Sequence, residues 1–263
     1  MALIKTELEI ERIRNSSLLV GKTIAEVARH IKPGVTTLAL DKIAEEFIRD
    51  HKAKPAFKGY HGYPATLCIS VNEIVVHGIP GKRELKEGDL VSIDCGTVID
   101  GYYGDSAFSF GIVPMATEVE LLMQRTHQSL LKSIASVTAG KRVGDIGYEV
   151  QTYVESFGYS VVRDLVGHGL GSSLHEKPEV PNYGRRGTGP KLEAGMVICI
   201  EPMINLGTRQ VMQENDGWTI RTMDRKPSAH FEHAIAITNN GAHIVSSFSE
   251  IEQVNNPDII ITR

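Results

Sequence analysis

Three things are scarce in this chain of 263 residues, and each scarcity removes a class of function. Cysteine is one. Cys68, Cys95 and Cys199 stand far apart with no CxxC pair, so no disulfide framework is expected and a reducing compartment suits the free thiols. Long apolar runs are another: no stretch reaches the roughly 18 residues that a membrane span needs. Positive charge in excess is the third. A formal net charge of −4 gives no general reason to expect nucleic-acid binding. Low-complexity tracts and linkers are lacking too, and the opening MALIKTELEIERIR is too charged for a signal peptide. A cytoplasmic protein that touches no membrane is expected, and 41% hydrophobic residues suffice for a substantial core.

What is present is a repetition. Leu85–Asp94, LKEGDLVSID, returns 107 positions later as Leu192–Glu201, LEAGMVICIE. Leu85 matches Leu192, Gly88 matches Gly195, and Ile93 matches Ile200. At the same offset Tyr60-His61-Gly62 falls on Gly167-His168-Gly169, and two amphipathic helical stretches match at an offset of 106. Three matched blocks in one order indicate a single duplication, about 34–110 and 140–238, within one catalytic domain spanning 1–263.

The local signals predict the elements. Thr6 to Glu9 reads as a capping box opening a helix to about His30, with a break near Gly21. Helices are expected over Thr37–His51, over Ala116–Val137 with a capping box from Thr117 to Glu120, and over Asp145–Phe157. Leu90–Ile99 and Tyr102–Phe110 form a hairpin around Asp100-Gly101. Gly59–Pro80, with its Gly, Pro, Tyr and His, reads as a site lining. Later strands are expected at Val161–Val166, Met196–Ile204, Val211–Glu214, Trp218–Asp224 and His230–Thr238, followed by a surface tail of about twenty residues.

Each repeated strand ends on a carboxylate, Asp94 and then Glu201. A carboxylate closing an apolar strand is costly unless it is paired or binds a metal. A two-residue turn at Asp100-Gly101 places Asp105 opposite Gly96, so Asp94, Gly96 and Asp105 share a face. The two carboxylates are then diagonal neighbours, roughly 7 Å apart at Cα, which calls for a cation between them. The alternative is that one faces solvent at a strand end. Glu201 and Glu232 likewise interrupt apolar runs. Four inward carboxylates suit two divalent cations and a bridging hydroxide, the kind of centre that makes a nucleophile from water. With His168 as a fifth ligand the donor set is mostly oxygen, which favours manganese, iron or cobalt over a structural zinc.

These segments, with Gly-Tyr-His-Gly-Tyr-Pro at 59–64, Val76-His77-Gly78-Ile79-Pro80 and Asp216-Gly217-Trp218, resemble the bacterial type I methionine aminopeptidases from about residue 5 to 250. The resemblance implies an α+β pita-bread fold, in which two pseudo-symmetric halves with a central antiparallel β-sheet and outer helices enclose a dinuclear metal site. It implies Asp94 on one metal, His168 and Glu201 on the other, and Asp105 and Glu232 bridging both. The activity implied is removal of the N-terminal methionine from nascent proteins when the second residue is small, by a metal-bridging hydroxide. Glu201 would handle the nucleophile's proton, His175 would hydrogen-bond the carbonyl or oxyanion, and His77 would lie near the scissile nitrogen.

The same resemblance implies a methionine pocket of Tyr60, Tyr63, Cys68, His77 and Trp218. Two positions depart from it: Phe57 stands where a cysteine is frequent in this family, and Leu174 where a phenylalanine is frequent. Cobalt, manganese or iron is implied as the metal pair, zinc being a further option. A monovalent cation would use backbone oxygens near Asn72, Ile74 and Ser228. The partners implied are nascent-peptide N-termini and the ribosome, with the chain a monomer, and its own Met1-Ala2 start fits the trimming rule. His61 matches the repeat without a ligand role. Two competing readings are an X-Pro aminopeptidase or prolidase with the same metal set, and a non-enzymatic ribosome-associated binder of the same fold.

Overall fold

The computed structural model describes residues 4–262, so Met1 and Ala2, the expected trimming site, lie outside the described residues. Helices α1 (Glu7–Ala28) and α2 (Thr37–Asp50) come first. Strands β1 (Lys54–Pro55), β2 (Leu67–Val71), β3 (Ile74–Val76), β4 (Leu90–Ile99) and β5 (Tyr102–Ile112) follow. Helices α3 (Thr117–Ala135) and α4 (Val143–Glu155) lead to β6 (Ser160–Val161), β7 (Gly167–Gly169), β8 (Glu176–Val180), β9 (Val197–Ile200) and β10 (Met203–Asn205). The chain closes with β11 (Val211–Gln213), β12 (Ile220–Thr222), β13 (Ser228–His230), β14 (His233–Thr238), β15 (Gly241–Ile244), a one-turn α5 (Ser249–Glu252) and β16 (Ile259–Ile261).

The capping box of α1 forms: Thr6 N–H donates to Glu9 Oε2 at 2.8 Å and Glu9 N–H donates to Thr6 Oγ1 at 3.3 Å, an arrangement worth about 1 kcal/mol. The break expected at Gly21 does not occur. A Cβ there would lie 2.3 Å from the Ser247 carbonyl oxygen, so glycine is needed for close approach of the later chain, against a helix cost of about 1 kcal/mol. The capping box expected at Thr117 is also absent. Thr117 is already inside α3, and its N-cap Ala116 offers no side-chain acceptor. Helix α4 starts before Asp145, whose carboxylate instead reaches back to accept from Arg142 N–H at 2.8 Å.

The β4–β5 hairpin sits inside a five-stranded antiparallel sheet with β1, β2 and β16. Asp100 and Gly101 both have positive φ, 51° and 80°, as a two-residue type I′ turn requires. The turn sets the register read from the sequence, Ile99 opposite Tyr102 and Gly96 opposite Asp105. The closing segment is more than a surface tail: β16 pairs with β5, placing Ile259 opposite Ile112, and both are buried. The strand expected over Val161–Val166 is only the two-residue β6, and β7 begins at Gly167.

The second five-stranded sheet runs β15-β14-β9-β7-β8, and a small sheet runs β13-β10-β6. The expected strands Met196–Ile204 and His230–Thr238 are each broken once, into β9 and β10 and into β13 and β14. Both breaks fall at one place. Ile200 pairs with His233 and Met203 with His230, so Glu201-Pro202 and Phe231-Glu232 lie between two stretches of ladder in common register. There the chain passes from one sheet to the other. Pro202 has no N–H to give a ladder, and Glu232 N–H donates to the Ala107 carbonyl at 2.9 Å. That bond joins the second sheet to β5. Helices α1 to α4 cover the sheets, around a core in which Phe108, Phe110 and Phe231 are wholly buried.

Candidate metal centre and substrate cleft

A cavity of about 490 Å³ opens where the two sheets meet. Tyr60, Tyr63, Cys68, His77, Asp94, Asp105, His168, His175, Glu201, Trp218 and Glu232 all line it, as do Phe57, His61 and Leu174. Every residue singled out from the sequence for the divalent centre, for catalysis or as a pocket wall therefore reaches one space, whereas Asn72, Ile74 and Ser228 do not line it.

The carboxylates are placed by strand register. Asp94 lies opposite Ala107 across the hairpin, and Ala107 in turn bridges to Glu232. Ser106 Oγ donates to the Glu232 carbonyl at 2.6 Å and fixes that crossing. Asp105 lies opposite Gly96, where a Cβ would come within 2.6 Å of the Phe57 ring; the glycine leaves room for Phe57 on the carboxylate face. His168 Nδ1 donates to the Gly169 carbonyl at 2.9 Å, so the lone pair on Nε2 faces the acids. That nitrogen is 3.7 Å from Asp105 Oδ2 and 3.5 Å from Glu201 Oε1.

Burial and mutual repulsion dominate the electrostatics. Burial pushes Asp94 up to about 7. Asp105 rises well above the carboxylate range through burial and the charges of Glu232 and Asp94. Glu201 rises through burial, Asp105 and Asp94, and Glu232 through burial, Glu201 and Asp94. His168 is driven down to about 3, mainly by burial and then by His175. Asp94 Oδ1, Asp105 Oδ1 and Glu232 Oε1 are buried without a hydrogen-bond partner. Orphaned, crowded carboxylate oxygens beside a neutral imidazole lone pair fit divalent cations, which would reverse the carboxylate shifts and keep His168 neutral.

Two residues not singled out from the sequence join this cluster. Cys199, Asp105, His168 and Glu232 have donor atoms all within 4.8 Å of one another. His230 Nε2 is buried, has no hydrogen-bond partner and lies 3.8 Å from Glu201 Oε2. Strand alternation could have found both, since Cys199 precedes Glu201 by two residues and His230 precedes Glu232 by two.

The cleft beside the acids is aromatic. Tyr63 packs edge-on against Trp218 at 5.1 Å, and His77 against Trp218 at 6.3 Å. Asp216 Oδ1 accepts from Trp218 and Thr219 N–H at 2.9 and 2.8 Å, fixing the turn that presents the indole. His77 holds φ at 58°, a left-handed conformation uncommon outside glycine. Burial, followed by His175, lowers its pKa to about 4. His175 Nδ1 lies 2.8 Å from the Tyr60 hydroxyl, and its ring packs edge-on against His168 at 4.3 Å. His61 is exposed on the rim, edge-on to Tyr60 at 4.4 Å, apart from the acid cluster.

The description "metallopeptidase family M24" fits residues 11–239. The methionine aminopeptidase of Clostridium perfringens is 50% identical over 94% of this chain and 99% of its own length. Methionine aminopeptidase 1 of Bacillus subtilis is 46% identical over 94% of this chain and 99% of its own length. The crystal structure of methionine aminopeptidase from Rickettsia prowazekii superposes with a TM-score of 0.92 at 42% identity, covering 94% of this chain and 100% of that one. The prolidase from Pyrococcus furiosus, at 22% identity and a TM-score of 0.77 over 94% of this chain and 66% of that one, shares the fold alone.

Proposed function

Because the chain belongs to metallopeptidase family M24, within its methionine aminopeptidases and with their pita-bread fold, we propose that it removes the N-terminal methionine from nascent proteins whose second residue is small. One observation carries this reading: a buried carboxylate–imidazole cluster and an aromatic slot of side-chain width line the same cavity. The unit is one catalytic domain in which a duplicated order of helix, strand and carboxylate supplies both sides of the centre.

Asp94, Asp105, His168, Glu201 and Glu232 would hold two divalent ions, with manganese, iron or cobalt favoured by the oxygen-rich set. Such ions supply an acidified water and a polarised carbonyl. Glu201, which reaches the same cavity as the other acids, takes the proton of the attacking water. The Tyr60 hydroxyl lies 2.8 Å from His175 Nδ1; donating there, it would leave Nε2–H free to donate to the carbonyl oxygen as it gains charge. His77, neutral near pH 7 because burial lowers it to about 4, lies beside the departing nitrogen. Tyr60, Tyr63, Cys68 and Trp218 hold the methionine side chain, a thioether being suited to aromatic and thiol walls. Phe57 and Leu174 complete the slot. A monovalent cation would be held by backbone oxygens near Asn72, Ile74 and Ser228.

The test is metal-dependent release of methionine from Met-Ala-Ser, set against release of the first residue from X-Pro dipeptides. Cleavage of X-Pro alone would favour the prolidase reading, and metal binding with no cleavage would favour a non-catalytic binder.

A further inference from the structure

Cys199 is wholly buried in β9, opposite Ala234 in β14. Along these strands Val197, Cys199, Ala234 and Ala236 face the cleft side, whereas Ile198, Ile200 and Ile235 face the main core. The alternation puts the Cys199 sulfur on the same side as the Glu201 carboxylate. Its Sγ, a nitrogen of His168 and an oxygen each of Asp105 and Glu232 lie within 4.8 Å of one another. His168 Nε2 and Asp105 Oδ2 are 3.7 Å apart. A tetrahedral zinc, with bonds of about 2.0–2.3 Å, holds its donors about 3.3–3.8 Å apart. Side-chain shifts of about 1 Å would close the set to that geometry. Independently of the cysteine, Asp105 Oδ1 and Glu232 Oε1 are buried beside it with no hydrogen-bond partner.

A sulfur donor changes which ion the centre prefers. Carboxylate oxygens suit manganese and magnesium, whereas a thiolate selects zinc and softer ions. We propose that Cys199 gives the centre a second, thiophilic binding mode. In it, one soft dication, zinc in excess or cadmium, is held by Cys199, Asp105, His168 and Glu232. The ion displaces the thiol proton to solvent and binds sulfur as thiolate. Four protein donors leave no open coordination position, the arrangement of a structural rather than a catalytic site. Asp105 and Glu232 are then unavailable to a pair of harder ions, so this mode is inhibitory. The inference rests on the reading of the cavity as a metal centre and is independent of the peptide cleaved there.

The experiment uses the full chain stripped of metal by a chelator. Cadmium is titrated in while the ultraviolet sulfur-to-metal charge-transfer band is followed, and cadmium and manganese binding are measured by calorimetry. The wild type should develop the band and saturate at one equivalent of cadmium. Cys199→Ser should lose the band and bind cadmium at least about tenfold more weakly, while its manganese affinity, which does not draw on sulfur, moves less than about threefold. Cys68→Ser should keep the band; this second thiol lines the cavity opposite Asp94. Absence of the band in the wild type, or its survival in Cys199→Ser, overturns the proposal. Failure of the wild type to take up manganese, with the cadmium band intact, would instead overturn the oxygen-rich dinuclear reading and leave the Cys199 site standing.

Discussion

Glu201 and Glu232 face each other across a gap in a ladder whose register is the same on both sides, Ile200 with His233 and Met203 with His230. Two carboxylates directly opposed in an antiparallel pair destabilise it, and burial raises the proton affinity of both. The interruption is where the strands leave one sheet for another, so the unfavourable pair is concentrated at the centre rather than spread along a strand.

Removing one charge should unbalance the cluster. Asp94→Asn and Glu232→Gln are expected to abolish methionine release and to lower the number of divalent ions bound per chain, measured by metal analysis after gel filtration. Full activity with two ions still bound in either variant would refute the ligand assignment.

His175→Ala should lower kcat by about 10²–10³ while KM changes little, because a donor aimed at a developing oxyanion acts in the transition state. Steady-state kinetics on Met-Ala-Ser checks this. A rise in KM alone would place His175 in ground-state binding.

Metal binding should tighten as pH rises. Asp94 is raised to about 7, and Asp105, Glu201 and Glu232 lie above their ordinary range, so ions must displace protons from groups that the fold holds protonated. In the metal-free chain Asp94 contributes stability that is complete below about pH 4 and lost as pH rises through about 7, and Asp105, Glu201 and Glu232 act in the same direction. The gain in Tm on adding manganese should therefore grow from pH 5 to pH 7.5. A constant gain across that window would contradict the raised proton affinities.

Gly96→Ala should destabilise the fold by about 1–3 kcal/mol, since its Cβ would lie 2.6 Å from the Phe57 ring. Phe57→Leu in the same chain should recover part of that loss, read by urea denaturation. An additive double variant would show that the two side chains do not compete for one space.

Specificity should follow the shape of the slot. Norleucine-Ala-Ser should be cleaved only several-fold more slowly than Met-Ala-Ser, a sulfur–aromatic contact being worth about 0.3–1.5 kcal/mol. Val-Ala-Ser and Met-Leu-Ser should be poor substrates, the first because its branched side chain is stiff at χ1. If either matches Met-Ala-Ser at equal manganese loading, Phe57 and Leu174 have opened the site and the methionine-specific reading fails.

Much of this centre was legible because short-range signals carry it. Asp100-Gly101 allows one tight turn, the turn sets the register, and the register puts Asp94 and Asp105 on one face. The breaks at Glu201-Pro202 and Phe231-Glu232 were not legible. The segments around them are as apolar as unbroken strands, and what interrupts them is a bond from Glu232 to the distant Ala107. The role of Gly21 was hidden for the same reason, since its cause is Ser247. Thr117 misled because a serine or threonine three residues before a glutamate looks the same whether it caps a helix or stands one place inside it. His230 and Cys199 could have been read from alternation, but apolar neighbours made each look like core.

The contact of Ser106 with Glu232 spans 126 positions, and this has a consequence for biosynthesis. Closing so long a loop is entropically costly, and Glu232 is synthesised long after Ser106. A growing chain can form the β4–β5 hairpin early, with Asp94 and Asp105 in place, yet the cavity lacks its last acid until residue 232 has been made. Chains truncated before residue 232 should accordingly be proteolytically dead fragments rather than weak enzymes.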